Sequence, residues 1–189
     1  MTTLTASPLL ASSMATRSAD PTFRIALIST GGTIEKTYDA LKGVLTNRVS
    51  VLDVMLAQLE LRGVELFRVP LMNKDSLEMS EQDHTLIART ADAMAQAYDG
   101  VIIVHGTDRL QKTGERAYEL NPAPRVPIVL TGAMKPYELR TTDALQNITE
   151  ALLAVQVLPP GVYAVMHNQV HRFPGVRKDP ERGCFVSEG

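Results

Sequence analysis

The sequence predicts an α/β fold, a mostly parallel β-sheet with helices on both faces. Short apolar runs that read as strands alternate along the chain with segments of helical periodicity. Three of the runs end in loops with unusual chemistry, and residues 23–189 show no internal repeat and no shift in composition.

Taken in order, the first run is Arg24–Ser29, and the glycine pair Gly31-Gly32 follows it. Paired glycines at a strand end mean that the backbone turns sharply or comes close to something else. Val51–Leu61 has helical spacing, and Ser50 followed by Asp53 looks like its start. Val64–Val69 reads as the next strand. Ser80 with Asp83 three residues later marks the start of a helix over Ser80–Tyr98. Val101–Val104 is a strand, Thr113–Glu119 a helix, Ile128–Leu130 a strand, Thr142–Val155 a helix and Val162–Met166 a strand. The alternating HNQVHR that follows reads as an edge strand suited to a subunit contact. Residues 1–22, rich in Ser, Thr and Ala, lack a basic start and a long apolar centre. They read as a disordered extension rather than a secretory signal.

Composition narrows the function. A length of 189 residues and 44% hydrophobic content suit one sizeable domain. A net charge of −2 argues against nucleic acid as the main partner, and no apolar run approaches the ~20 residues that span a membrane. A single cysteine, Cys184, excludes an internal disulfide framework and a multi-cysteine metal site, and is compatible with a reducing compartment. The four histidines, His84, His105, His167 and His171, read as surface or loop residues without accompanying metal ligands.

The loops Thr30-Gly31-Gly32-Thr33, His105-Gly106-Thr107-Asp108 and Thr131-Gly132-Ala133-Met134-Lys135 all leave strand ends. In a parallel sheet they emerge at one edge, where ligands sit, so residues distant in sequence converge on one cleft. The first loop lacks the glycine and lysine pattern of a phosphate-binding motif. A threonine hydroxyl becomes a nucleophile only when a base takes its proton. Thr107 beside Asp108, and Thr33 with Tyr38 five residues on, each pair a hydroxyl with a possible proton-handling neighbour. Taken singly, the glycine pair is also a plain turn and Thr107-Asp108 also a helix cap.

Together, TGGTI at 30–34, HGTD at 105–108 and TGAMKP at 131–136 resemble the bacterial-type L-asparaginase/glutaminase family. NKDSLEM at 73–79 is similar to the family's substrate-binding loop, and VMHNQVHRFPGVRKD at 165–179 to the segment that carries its catalytic lysine. The resemblance runs over about residues 23–180, the family's amino-terminal catalytic domain. It implies that Thr33 attacks the side-chain amide of asparagine to form an acyl-enzyme ester, releasing ammonia, with Tyr38 helping to carry its proton. It implies a second group, Thr107, Asp108 and Lys178, as a proton relay. A lysine acting as a base must be neutral part of the time, a state that burial or a cationic neighbour favours. Asp108 would hold the substrate ammonium. Ser76 would hold the α-carboxylate, with Asp75 contributing indirectly. Backbone amides around Gly32 and Gly106 would form an oxyanion hole, one donor of which is typically worth ~10²–10³ in rate.

The same resemblance implies no cofactor and no metal, a cytoplasmic location, and a homodimer or homotetramer. Most members carry a further carboxyl-terminal domain, so a short, single-domain form is expected, with a weaker grip on its substrate. Leu77 stands where longer secreted members often have glutamine. L-Asparagine is the expected substrate and L-glutamine the alternative, since a pocket discriminates one methylene by only ~1–3 kcal/mol. Two other functions remain open: an ammonia-releasing subunit of a tRNA-dependent amidotransferase, and a non-catalytic amino-acid sensor.

Overall fold

The computed structural model describes residues 22–47 and 50–187, so the extension expected over residues 1–22 lies, except for Thr22, outside the described residues. The elements in chain order are β1 (Phe23–Gly31), β2 (Thr37–Asp39), β3 (Val44–Thr46), α1 (Leu52–Leu56), β4 (Val64–Lys74), α2 (Glu81–Ala97), β5 (Gly100–Val104) and α3 (Leu110–Leu120). They continue with β6 (Pro127–Thr131), α4 (Ala144–Val157), β7 (Gly161–Met166), β8 (Gln169–Arg172), β9 (Val176–Asp179) and β10 (Cys184–Ser187).

The main sheet has the order β4-β1-β5-β6-β7-β8. Its first five strands run parallel, and β8 closes the far edge antiparallel to β7. Central strands are buried on both sides, which explains their unbroken apolar character. Successive side chains of β1 divide between the faces: Ala26 and Ile28 pack under α2 and α3, while Ile25 and Leu27 pack under α1 and α4. Pro70, which has no N–H to donate, sits on the edge strand β4, where one side of the ladder is free.

The Ser80 signal produces a complete capping box: its hydroxyl accepts from the Asp83 amide, and the Asp83 carboxylate accepts from the Ser80 amide. Two expectations differ from the structure. The helix expected over Val51–Leu61 stops at Leu56, because Gln58 and Leu59 donate to carbonyls three residues back and tighten the chain into turns. Leu59 and Leu61 still pack against the core, so the apolar spacing persists without the helix. Ser50 forms no capping box with Asp53, since the residue flanking the helix is Val51; its hydroxyl donates to the Glu35 carboxylate and accepts from the Leu52 amide at 3.4 Å.

The topology directs attention to one place. β1 is flanked by β4 on one side and β5 on the other, so the connections diverge between β1 and β5. In an open α/β sheet, the crevice beyond the carboxyl ends of such a strand pair is where ligands bind.

Candidate active site

Gly31-Gly32 and His105-Gly106 leave the sheet at this divergence point, and their backbones touch. Gly31 (φ 96°) and Gly32 (φ 83°) both occupy the left-handed region. A Cβ on Gly32 would overlap Gly106 Cα and N, and one on Gly31 would lie 2.6 Å from the backbone of Lys74. A Cβ on Gly106 would in turn lie 2.6 Å from Ser76 Oγ. The glycines are therefore required by close approach of three chain segments, the ends of β1 and β5 and the loop after β4. Thr33 and Thr107 each follow a glycine of the touching pair.

The second group assembles fully. Lys178 Nζ, on β9, donates to Thr107 Oγ1 at 2.9 Å and to Asp108 Oδ1 at 2.7 Å. Thr107 and Asp108 do not cap α3, whose first flanking residue is Arg109 with no side-chain cap bond. Ser76 is 1% exposed, and its hydroxyl has no hydrogen-bond partner among the described residues. A buried hydroxyl without a partner is uncommon, and here it sits against Gly106, pointing to a ligand group that would satisfy it. Asp75 accepts from Lys36 Nζ at 2.6 Å and from the Leu77 amide. Burial by itself would raise its carboxyl pKa, but these hydrogen bonds and the Lys36 charge bring it below the ordinary range.

Thr33 is half-buried, and among the described residues its hydroxyl makes no hydrogen bond. Tyr38 lies on the β2–β3 hairpin, 61% exposed, and among the described residues no hydrogen bond joins its hydroxyl to Thr33.

Several groups that hold the site are not evident in the sequence. Glu35 is 1% exposed; its carboxylate accepts from the Gly31 amide and from the Ser50 hydroxyl, fixing the turn after β1. Asn47 Nδ2 donates to the Gly32 carbonyl at 2.8 Å. The reading of the histidines as surface or loop residues is corrected for two of them, since His84 and His105 are fully buried. His105 Nδ1–H donates to the Gly106 carbonyl, which leaves Nε2 to accept from the Thr113 hydroxyl at 2.8 Å. Thr113 in turn accepts from His84 Nδ1 at 2.7 Å. Burial pushes the His105 pKa down to about 4, opposed by the Gly106 carbonyl and reinforced by His84, so the ring is neutral at pH 7. The one hint in the sequence was its position at the end of an apolar run, VIIVH, where an ionised ring would be costly.

The third loop is secured separately. Asp143 accepts from the Met134 and Lys135 amides and pairs with His167, while Asn147 Nδ2 donates to the Gly132 carbonyl. Among the described residues, no group of three or more His, Cys, Asp or Glu is arranged to hold a metal ion.

The family described as "Asparaginase, N-terminal" matches residues 24–183. The chain belongs to the asparaginase family. Its similarity extends in two functional directions. It is 31% identical over 178 residues to a glutamyl-tRNA(Gln) amidotransferase subunit from Haloquadratum walsbyi, covering 87% of this chain and 40% of that one. It is 30% identical over 152 residues to L-asparaginase of Thermococcus kodakarensis, covering 78% and 45%. Among solved structures, L-asparaginase I of Vibrio cholerae matches with a TM-score of 0.70 at 24% identity, covering 88% of this chain and 51% of that one. The probable cytoplasmic L-asparaginase of Campylobacter jejuni matches with a TM-score of 0.66 at 27% identity, covering 87% and 53%. The chain thus spans less than half the length of the first two relatives.

Proposed function

We propose that this protein is an L-asparaginase, hydrolysing L-asparagine to L-aspartate and ammonia through an ester on Thr33. The observation that carries this reading is the contact of Lys178 with both Thr107 and Asp108, beside the Gly32–Gly106 junction that bears Thr33. Thr33 Oγ bonds to the amide carbon, the C–N bond breaks, and the nitrogen takes a proton to leave as ammonia. Water then attacks the ester and returns the hydroxyl to Thr33. Thr107, Lys178 and Asp108 carry protons as a hydrogen-bonded unit, a role typically worth ~10²–10⁴ in rate. Tyr38, on the β2–β3 hairpin, helps carry the Thr33 proton.

Substrate binding follows from charge. The Asp108 carboxylate receives the substrate ammonium, and the unsatisfied Ser76 hydroxyl receives the α-carboxylate, with Asp75 ordering the Ser76 loop through its bond to the Leu77 amide. Amides beside Gly32 and Gly106 stabilise the oxyanion. In this reading the protein is cytoplasmic and forms a homodimer or homotetramer, and light scattering that gives a monomer at micromolar concentration overturns the latter.

A second reading is favoured by the 31% identity to an amidotransferase component: a chain that releases ammonia for use by partner subunits. The test is ammonia release by the purified protein from L-asparagine and L-glutamine, beside Thr33→Ala and Thr107→Ala. Release from asparagine that both substitutions abolish supports the asparaginase. Glutamine hydrolysis that rises at least tenfold when the other amidotransferase subunits are added supports the second reading. An inactive chain whose melting temperature asparagine still raises is a sensor.

A further inference from the structure

Lys178 is brought to Thr107 from 71 residues away, so something must fix that approach. Helix α3 adjoins both halves of the relay. It begins at Leu110, two residues after Asp108, and it packs against β9, the strand of Lys178. One turn further on it carries Gly114 and Glu115. Gly114 is buried, and a Cβ there would overlap the tip of the Phe173 ring, whose Cζ, Cε1 and Cε2 are its nearest neighbours. A glycine inside a helix costs stability relative to alanine. Its presence here is accounted for by the ring that fills the missing side chain's place.

Two further contacts hold the same stretch. Glu115 Oε1 accepts from the Gly175 amide at 2.7 Å, and the Phe173 amide donates to the Val162 carbonyl of β7 at 3.0 Å. Val176 and Phe185 continue the anchoring into the core beneath α2 and α3. Phe185 lies directly across the β9–β10 ladder from Lys178. The lysine therefore extends from a strand whose root is clamped to α3 five residues earlier.

We propose that Phe173, seated against Gly114, is a positioning residue for Lys178, and that α3 acts as the common frame of the proton relay. This rests on the reading of Lys178, Thr107 and Asp108 as that relay. Misplacement of a catalytic group by ~1 Å can cost ~10²-fold, so a ring pushed from its seat is felt at Lys178 without any change in the relay's own residues.

The test compares Gly114→Ala, Gly114→Ala with Phe173→Leu, and Glu115→Ala. Asparagine turnover and crystal structures are the readouts. In Gly114→Ala the methyl displaces the ring. kcat is expected to fall at least about tenfold with KM within about twofold, and Lys178 Nζ to move out of hydrogen-bond reach of Thr107 Oγ1. The shorter leucine leaves room for the methyl, so the double variant is expected to recover most of kcat and the 2.9 Å contact. Glu115→Ala removes the Gly175 anchor from a partly buried position and gives a smaller loss in the same direction; it serves if Gly114→Ala does not fold. Lys178 remaining in contact with Thr107 in folded Gly114→Ala or Glu115→Ala overturns the proposal. So does a loss of kcat that the double variant fails to restore. If the parent protein releases no ammonia, the relay reading itself fails, and the Lys178–Thr107 distances still decide whether α3 positions the lysine.

Discussion

Lys178 Nζ lies 2.9 Å from Thr107 Oγ1 and 2.7 Å from Asp108 Oδ1, although five elements, α3 to β8, separate these partners along the chain from the strand that brings the lysine. An exposed lysine–carboxylate pair contributes little to stability. This one is partly exposed at Asp108, so its loss is expected to cost the fold little. Lys178→Met is expected to lower kcat by about 10²–10⁴ while shifting the melting temperature by only a few degrees. Steady-state kinetics beside a thermal melt checks this; a folded variant with parental kcat removes Lys178 from the mechanism.

Ser76 yields the opposite balance of stability and binding. Its buried hydroxyl has no partner among the described residues, so Ser76→Ala is expected to leave stability unchanged or raise it slightly. Loss of a hydrogen bond to a charged carboxylate, about 1.5–3 kcal/mol, should raise KM for asparagine roughly 10- to 100-fold. A destabilised variant with unchanged KM would make the hydroxyl a structural group.

Gly32 and Gly43 separate steric necessity from backbone preference. Both have positive φ, 83° and 68°. A Cβ on Gly32 overlaps Gly106, whereas the nearest atom to one on Gly43 is the Tyr38 hydroxyl at 4.0 Å. Gly43→Ala is expected to cost about 1–2 kcal/mol from the left-handed conformation alone. Gly32→Ala should cost more than this and also abolish turnover, because Gly106 and Thr107 must shift. Urea unfolding of both variants measures the difference.

The buried histidines predict acid sensitivity. The His105 pKa falls from 6.5 in the unfolded chain to about 4 in the fold, through burial first and the neighbouring His84 second. The unfolded state therefore binds more protons between these values, and stability present above pH 6.5 is lost as pH falls toward 4. The slope approaches about 1.4 kcal/mol per pH unit, a loss of roughly 3 kcal/mol over the window. Burial lowers the His84 pKa as well, with Lys112 and Arg109 reinforcing it and Glu81 and Asp83 opposing, so its contribution has the same sign. Urea midpoints measured across this range should show the decline, and His105→Gln should flatten most of it.

The parallel sheet, the capping box at Ser80 and the loop positions of Gly31-Gly32, Gly106 and Thr107 were legible in the sequence. Each depends on local properties: runs buried on both faces, a hydroxyl three residues before a carboxylate, glycine where the backbone turns. The family motifs likewise named Thr107, Asp108, Lys178 and Ser76 as candidates. Other features depended on contacts between distant segments. Val51–Leu61 keeps apolar spacing over turns as well as over a helix, so periodicity overestimated α1. Ser50 flanks the helix one residue further out than expected, and its hydroxyl donates to the buried Glu35 carboxylate while accepting from the Leu52 amide. His84 and His105 carried the appearance of polar surface residues because the threonine that satisfies both comes from α3. Sequence alone thus determined which residues occupy the strand ends, since strand burial and turn chemistry are written in neighbouring positions. Only tertiary structure decided that Lys178 meets Thr107 and that Phe173 fills the space at Gly114, because those contacts arise from packing between elements.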